Sequence, residues 1–244
     1  MVRFGFVLVG IITCSLLVLG LSNWGSHKDR AIGASYDKAS RSFHQSGYRT
    51  CVKHDTSATD FVLDHLVLPP SADVARNLSR NPNDTFVDTS EGRMGTVVMS
   101  RIHRNKTGGV FIEVGAHDGE SISLTLLAEV VYGWTGLLIE PTPENFKKLF
   151  LKRRRAHLVN ACVSNVKRPT QVKMRAWGPR SAVKTPEDRG NLAQNNETHF
   201  VAICVPFSAI MEVLGWSKVD WLALDVEGYE PEALISFPFD VVDL

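Results

Sequence analysis

Residues Gly109-Val110-Phe111-Ile112-Glu113-Val114-Gly115-Ala116-His117-Asp118-Gly119-Glu120 decide the fold. An apolar run ends in an acid and opens into a loop of small residues. A second apolar run, Gly136 to Ile139, ends in Glu140. The reading is strand 110–115, helix 121–131 and strand 136–140. An α/β protein uses such a unit to hold a nucleoside at the carboxyl edge of a parallel sheet.

Glycine in this loop permits positive φ and leaves no Cβ where a ligand approaches the main chain. Glu140 follows the loop by about the 20 residues usual for an acid that binds ribose hydroxyls, and an ionised carboxylate accepts from two hydroxyls at once. The plain alternative is that Gly115 and Gly119 only make a tight turn and Glu140 is a solvated strand end. The loop is neither G-x-G-x-x-G nor a G-x-x-x-x-G-K-[ST] phosphate loop. It holds Glu113, Asp118 and Glu120 and no Lys or Arg. Carboxylates repel pyrophosphate and suit a cation, which favours S-adenosylmethionine over NAD or ATP.

The same grammar recurs downstream. Val219 to Leu224 is an apolar run that ends in Asp225-Val226-Glu227-Gly228-Tyr229-Glu230. Asp225 and Glu227 are candidate general bases, because carboxylates gathered at one sheet edge perturb each other's protonation. The alternative is that one of them caps the helix beginning near Pro231.

Four segments in this order, FIEVGAHDGESISL, GLLIEPTPENFKKL, VNACVS and VDWLALDVEGYEPEAL, resemble the FkbM-type methyltransferase family. The stretch from Gly133 to Ser164 is most similar to its animal branch, which includes the membrane protein Star. The resemblance implies an α/β, Rossmann-like S-adenosylmethionine-dependent methyltransferase fold with a mainly parallel sheet, methylating a hydroxyl, often on a sugar. By analogy, Glu113 and the loop Gly115, Ala116, His117, Asp118 and Gly119 face the methionine moiety. Glu140 meets the ribose, and Asp225 and Glu227 sit beside the transferred methyl. The Star-like branch implies instead a non-catalytic membrane protein that assists transport of a transmembrane cargo protein from endoplasmic reticulum to Golgi. His117 and Asp118 depart from the small or amide residues of bacterial members. Phe239 to Leu244 reads as the start of a further strand, so the sheet is expected to be truncated at the C-terminus.

The chain has 244 residues and a formal charge of +1, enough for one α/β domain and an extension. The charge balance argues against nucleic acid as a partner. Phe4 to Leu21 is apolar, which reads as a membrane helix over 1–22 serving as a type II signal anchor, with a cleaved signal peptide as the alternative. Residues 23–107 read as a lumenal stem and extension, and 108–244 as the methyltransferase-like domain. Asn77, Asn83, Asn105 and Asn196 begin N-x-[ST] sequons, all after the apolar segment. They predict a glycoprotein whose domain faces the lumen of the endoplasmic reticulum and Golgi. Cys162 and Cys204 fall in separate predicted strands and form either a disulfide or two buried thiols. No zinc-type Cys/His spacing occurs, and no Asp-x-Asp metal motif supports a glycosyltransferase. Lys152-Arg153-Arg154-Arg155 reads as the solvated end of a helix over 143–154. Residues 94–105 read as an outer helix, and 170–205 as a hairpin with a long tip over 178–198, which reads either as a disordered loop or as a lid or substrate-recognising segment.

Overall fold

The computed structural model describes residues 56–67, 69, 74–79, 88–177, 180–183 and 198–244. The apolar segment Phe4–Leu21, the stem, Cys14, Cys51, Asn83, Asn196 and most of the predicted lid lie outside them. Among the described residues, no helix is long and apolar enough to cross a membrane.

The first sheet is built around β2 (Val110–Val114), flanked by β3 (Thr135–Ile139) and β9 (Trp221–Leu224). β4 (Ala156–Val159) follows β3, and the two-residue β1 (Leu66–Val67) closes that edge, giving the order β1-β4-β3-β2-β9. All pairs are parallel except β1 with β4. The chain winds outward from β2 through β3 to β4 and later returns to β2's other side as β9. The winding direction therefore reverses between β2 and β9, and at such a reversal a crevice opens beyond the strands' carboxyl ends.

Strand alternation sorts the core into two layers. Ile112, Val114, Leu137, Ile139 and Val159 point to one face. There they meet α1 (Ala58–His65), α5 (Phe207–Leu214) and α6 (Glu230–Ile235). Phe111, Leu138, Ala156 and Leu158 point to the other face, against Met99, α3 (Leu126–Tyr132) and α4 (Pro143–Leu151). In α4, Phe146, Leu149 and Phe150 are buried while Lys147 and Lys148 are exposed, the spacing of a one-sided helix. Gly136 is obligatory in β3, because a Cβ there would lie 2.2 Å from the Phe111 carbonyl oxygen.

Several expectations shift. The predicted helix 121–131 begins only at Leu126, since residues 115–125 form one long loop held by side chains. The predicted outer helix 94–105 is a 3₁₀ turn (Glu91–Arg93), a short α2 (Met94–Val97) and a π turn (Val98–Ile102). The predicted strand 157–163 divides at Asn160, whose side-chain amide donates to the Glu140 carbonyl at 2.6 Å. Beyond it, β5 (Cys162–Val163) enters a second sheet, ordered β5-β8-β6-β7, with β6 Thr170–Trp177, β7 Arg180–Val183 and β8 Thr198–Val205. This sheet is antiparallel except for β5 with β8. β6 and β8 do form the expected hairpin arms, and Arg180 and Ser181 lie in β7 within the predicted tip. Cys162 and Cys204 are register partners and are disulfide-bonded, with Cα atoms 4.3 Å apart. The terminal segment makes a parallel bridge, Lys218 to Asp243, at the foot of β9.

Candidate functional site

A cavity of about 520 Å³ opens at the carboxyl ends of β2, β3 and β9, at the reversal point of the sheet. Gly115, His117, Glu140, Asp225 and Glu227 line it, so five of the nine candidate cofactor and catalytic residues meet there. Glu91, Asn145 and Tyr229 also line it, with Cys162, Val163 and Met174 contributed by the second sheet. Among the described residues, no Lys or Arg lines the cavity.

Glu140 is the central group. It is buried at the tip of β3, where Oε2 accepts the His117 amide at 2.8 Å and Oε1 accepts the Thr142 amide at 2.8 Å. Burial pushes its carboxyl above the usual range, against the pull of Thr142 and the His117 amide. His117 has φ +51°, a left-handed conformation that costs a non-glycine residue energy. Its Nδ1 is buried, lies 3.6 Å from Asp118 Oδ1 and makes no hydrogen bond. Its nearest charged partner is the Asp118 carboxylate, just beyond hydrogen-bond distance. Gly115, with φ +86°, is required by contact: a Cβ would fall 2.0 Å from the Asp225 carbonyl oxygen.

On the opposite rim, Asp225 follows β9 and its amide donates to the Val114 carbonyl at 3.1 Å. Glu227 has φ +54° and Gly228 φ +93°. Glu230 holds this bend, its Oε1 accepting the amides of Val226 and Gly228 at 3.1 and 3.3 Å. Neither Asp225 nor Glu227 caps the last helix; its N-cap is Tyr229, without a side-chain hydrogen bond. Two of the six described non-glycine residues with positive φ, His117 and Glu227, thus flank the cavity, where strain commonly gathers.

Four candidate residues do not line the cavity. Glu113 shares the strand face of Phe111, so its carboxylate points beneath the loop. It accepts from Ser123 Oγ and the Leu124 amide, both at 2.8 Å, and from Thr125 Oγ1 at 2.5 Å. Asp118 accepts the Glu120 and Ser121 amides and Ser121 Oγ. Burial alone would raise its pKa, but the His117 ring and these donors hold it well below the usual carboxylate range. Ala116 is packed in the core, and Gly119 sits against Leu149. These residues build the loop.

The basic run corrects another expectation, because Arg154 is wholly buried. Its Nε donates to Glu129 at 2.6 Å, and its Nη atoms reach the Gly119 carbonyl at 2.6 Å, Ser123 Oγ at 3.1 Å and Thr125 Oγ1 at 3.4 Å. Burial opposes ionisation of Glu129, but Arg154 and the Arg155 amide hold its pKa below the usual range. Lys152 pairs with Glu120. The extension grips the same loop from outside: Arg76 Nε donates to Glu129, the Ser79 amide to Glu120 and Thr89 Oγ1 to the Glu120 carbonyl. Of the sequon asparagines, Asn77 and Asn105 are described and exposed.

Sequence reasoning missed Arg154, Asn145, Glu91 and Tyr229. Only Asn145 carried a local cue: Pro143 marks the helix start, placing Asn145 in the first turn beside the loop. Among the described residues no group of three or more His, Cys, Asp and Glu is placed to hold a metal ion.

The cavity thus combines a buried acid at a strand tip with an imidazole nitrogen facing the Asp118 carboxylate, and among the described residues no Lys or Arg lines it. A family model described as the methyltransferase FkbM domain matches residues 113–241, more than half of the chain. No curated protein and no solved structure matches.

Proposed function

The chain belongs to the FkbM methyltransferase family, and on that premise we propose that it is an S-adenosylmethionine-dependent O-methyltransferase-like protein of the secretory pathway. The observation that carries this reading is Glu140, buried at the reversal point of the sheet in a cavity to which the described residues bring acids and no Lys or Arg. Glu140 would accept the two ribose hydroxyls, and His117 Nδ1 and the Gly115 main chain would contact the methionyl end. When bound, the cofactor supplies a methyl group already activated on sulfonium. The protein's task is then alignment, which lowers a barrier by about 7–11 kcal/mol. Asp225 or Glu227 takes the acceptor hydroxyl's proton, adding a factor on the order of 10²–10⁴.

Calorimetry on the oxidised protein tests this reading. S-adenosylmethionine and S-adenosylhomocysteine are expected to bind, NAD and ATP are not, and Glu140→Ala is expected to weaken binding. A flat S-adenosylmethionine titration at millimolar concentration sinks the proposal.

The buried Cys162–Cys204 disulfide supports an oxidising compartment. With the apolar segment Phe4–Leu21 and the four sequons, it favours a single-pass type II glycoprotein facing the lumen of endoplasmic reticulum and Golgi. A second reading, Star-like handling of membrane cargo, draws on a different observation. Ile235, Phe239 and Val241, near one another in sequence, are each exposed, and apolar side chains so placed are available for protein contact. Cargo export that survives Glu140→Ala favours this reading, and export lost in that variant favours the enzyme.

A further inference from the structure

We propose that Asn145 is a specificity-determining residue that reads the cofactor's ribose together with Glu140: the carboxylate accepts from the hydroxyls, and the Asn145 amide donates to one of their oxygens. The inference rests on the methyltransferase reading and deepens it from the class of cofactor to the group that selects its sugar.

The fold has no use for this side chain. Asn145 is the third residue of α4, after Pro143 and Glu144, with Thr142 as the N-cap. A polar side chain at this position ordinarily reaches back to the N-cap amide. Here that amide is taken, because Thr142 N–H donates to Glu140 Oε1 at 2.8 Å. Asparagine is also a weak helix former. Asn145 is only 8 % exposed, and its side-chain amide makes no hydrogen bond with the described residues. A buried amide without a partner is kept at a cost in stability, which calls for a reason outside the fold.

The helix sets the direction of the amide. Side chains on a helix lean toward its N-terminus, and Thr142 and Glu140 lie at that end of α4. Leu149, one turn further along the same face, lies against Gly119. Asn145 thus heads a row that runs between the loop after β2 and Glu140. Gly115, His117, Glu140 and Asn145 all line the same cavity. Among the described residues only His117 Nδ1 is both sealed and unpaired. The Asn145 amide therefore keeps the small access that the residue has, on the cavity side.

The two groups are chemically complementary. An ionised carboxylate only accepts, and each Glu140 oxygen already holds one main-chain amide. A ribose hydroxyl both donates and accepts. Once its proton is given to Glu140, its oxygen needs a donor, and the Asn145 amide brings two N–H bonds. A deoxy sugar leaves that amide unpaired, and sites built to hydrogen-bond a hydroxyl reject the analogue lacking it most strongly.

Calorimetry on the full oxidised protein tests the inference with S-adenosylhomocysteine, its 2′-deoxy and 3′-deoxy analogues, and its inosine counterpart, in which only the base differs. The native protein is expected to bind S-adenosylhomocysteine at least about tenfold tighter than either deoxy analogue. N145A and N145L are expected to weaken S-adenosylhomocysteine about three- to tenfold, the worth of one hydrogen bond. Neither should change the affinity for the deoxy analogue that lacks the contacted hydroxyl, nor the preference for the adenosine over the inosine ligand. N145L keeps the side chain's volume, so the test survives if N145A does not fold, and ligand-free melting curves identify a folded variant. The inference is overturned if the native protein binds both deoxy analogues as tightly as S-adenosylhomocysteine. It is equally overturned if a folded variant weakens all four ligands alike, changes none of them, or loses its preference for the base instead of the sugar. Failure of S-adenosylhomocysteine to bind the native protein overturns the functional reading and this inference with it.

Discussion

Replacing Arg154 by methionine keeps a long side chain in a fully buried site and removes a charge. Arg154 donates to the Glu129 carboxylate, the Gly119 carbonyl and two loop hydroxyls. Glu129, whose side chain is also fully buried, keeps Arg76 and the Arg155 amide. Breaking one side of a buried ion pair costs about 3–5 kcal/mol, and the remaining partners place this case near the lower end, about 3 kcal/mol. For a domain of this size that is a fall in melting temperature of roughly 6–12 °C.

The pH dependence separates this cause from simple loss of packing. In the native chain Glu129 is held below its ordinary pKa, so it stabilises the fold above the unfolded value, and that contribution is lost as pH falls through the lowered value. Without Arg154, burial dominates and raises the pKa. The folded state then binds the proton more tightly than the unfolded chain, which stabilises at acid pH and is lost as pH rises. The deficit of the variant should therefore be large at neutral pH and shrink toward the ordinary carboxylate range. Urea unfolding followed by fluorescence of the buried Trp134 measures it, and adding Glu129→Gln should recover about half. A deficit below about 1 kcal/mol, or one of equal size at both pH values and untouched by Glu129→Gln, refutes the reasoning.

Glu140→Gln replaces one of the two accepting oxygens by an NH2 that cannot accept, so either the His117 or the Thr142 amide loses its partner. The ligand-free fold should lose about 1–3 kcal/mol in urea unfolding at neutral pH, less what is regained by removing a buried group whose folded pKa is raised. The same change should weaken S-adenosylhomocysteine binding about 10–100-fold in calorimetry, and native binding should fall as pH drops through that raised value while the variant stays flat. Gly115→Ala places a Cβ 2.0 Å from the Asp225 carbonyl in a left-handed conformation. It should cost at least about 3 kcal/mol in urea unfolding and abolish binding. Reducing the Cys162–Cys204 bond, which spans 42 residues, should cost about 4 kcal/mol and lower the melting temperature by roughly 10 °C in a calorimetric scan with and without reductant.

The parallel sheet was legible because its strands are continuous apolar runs ending in acids, as Phe111–Val114 and Leu137–Ile139 show. Helix α5 was legible in the same way, through the apolar spacing of Phe207, Ile210 and Met211. The loop after β2 was not, because its shape depends on partners distant in sequence: Glu113 from below, Arg154 from the end of α4, and Arg76 and Ser79 from the extension. Side-chain direction decided the site. Glu113 and Glu140 look equivalent as acids near strand ends. Glu113 lies within its strand and follows the pleat to the face of Phe111, whereas Glu140 lies one residue past β3 and opens toward the crevice. A run of four cations suggests solvent exposure by composition alone, and nothing in it distinguishes Arg154 from Arg153, its exposed neighbour.

The cavity takes its wall from two sheets, Val114 and Gly115 on one side and Cys162, Val163 and Met174 on the other. A molecule bound there touches both and joins them. Occupancy and folding are then coupled thermodynamically: a ligand at a hundred times its dissociation constant adds about 2.7 kcal/mol to the whole domain. The protein's own melting curve can therefore report its natural ligand from a mixture of metabolites.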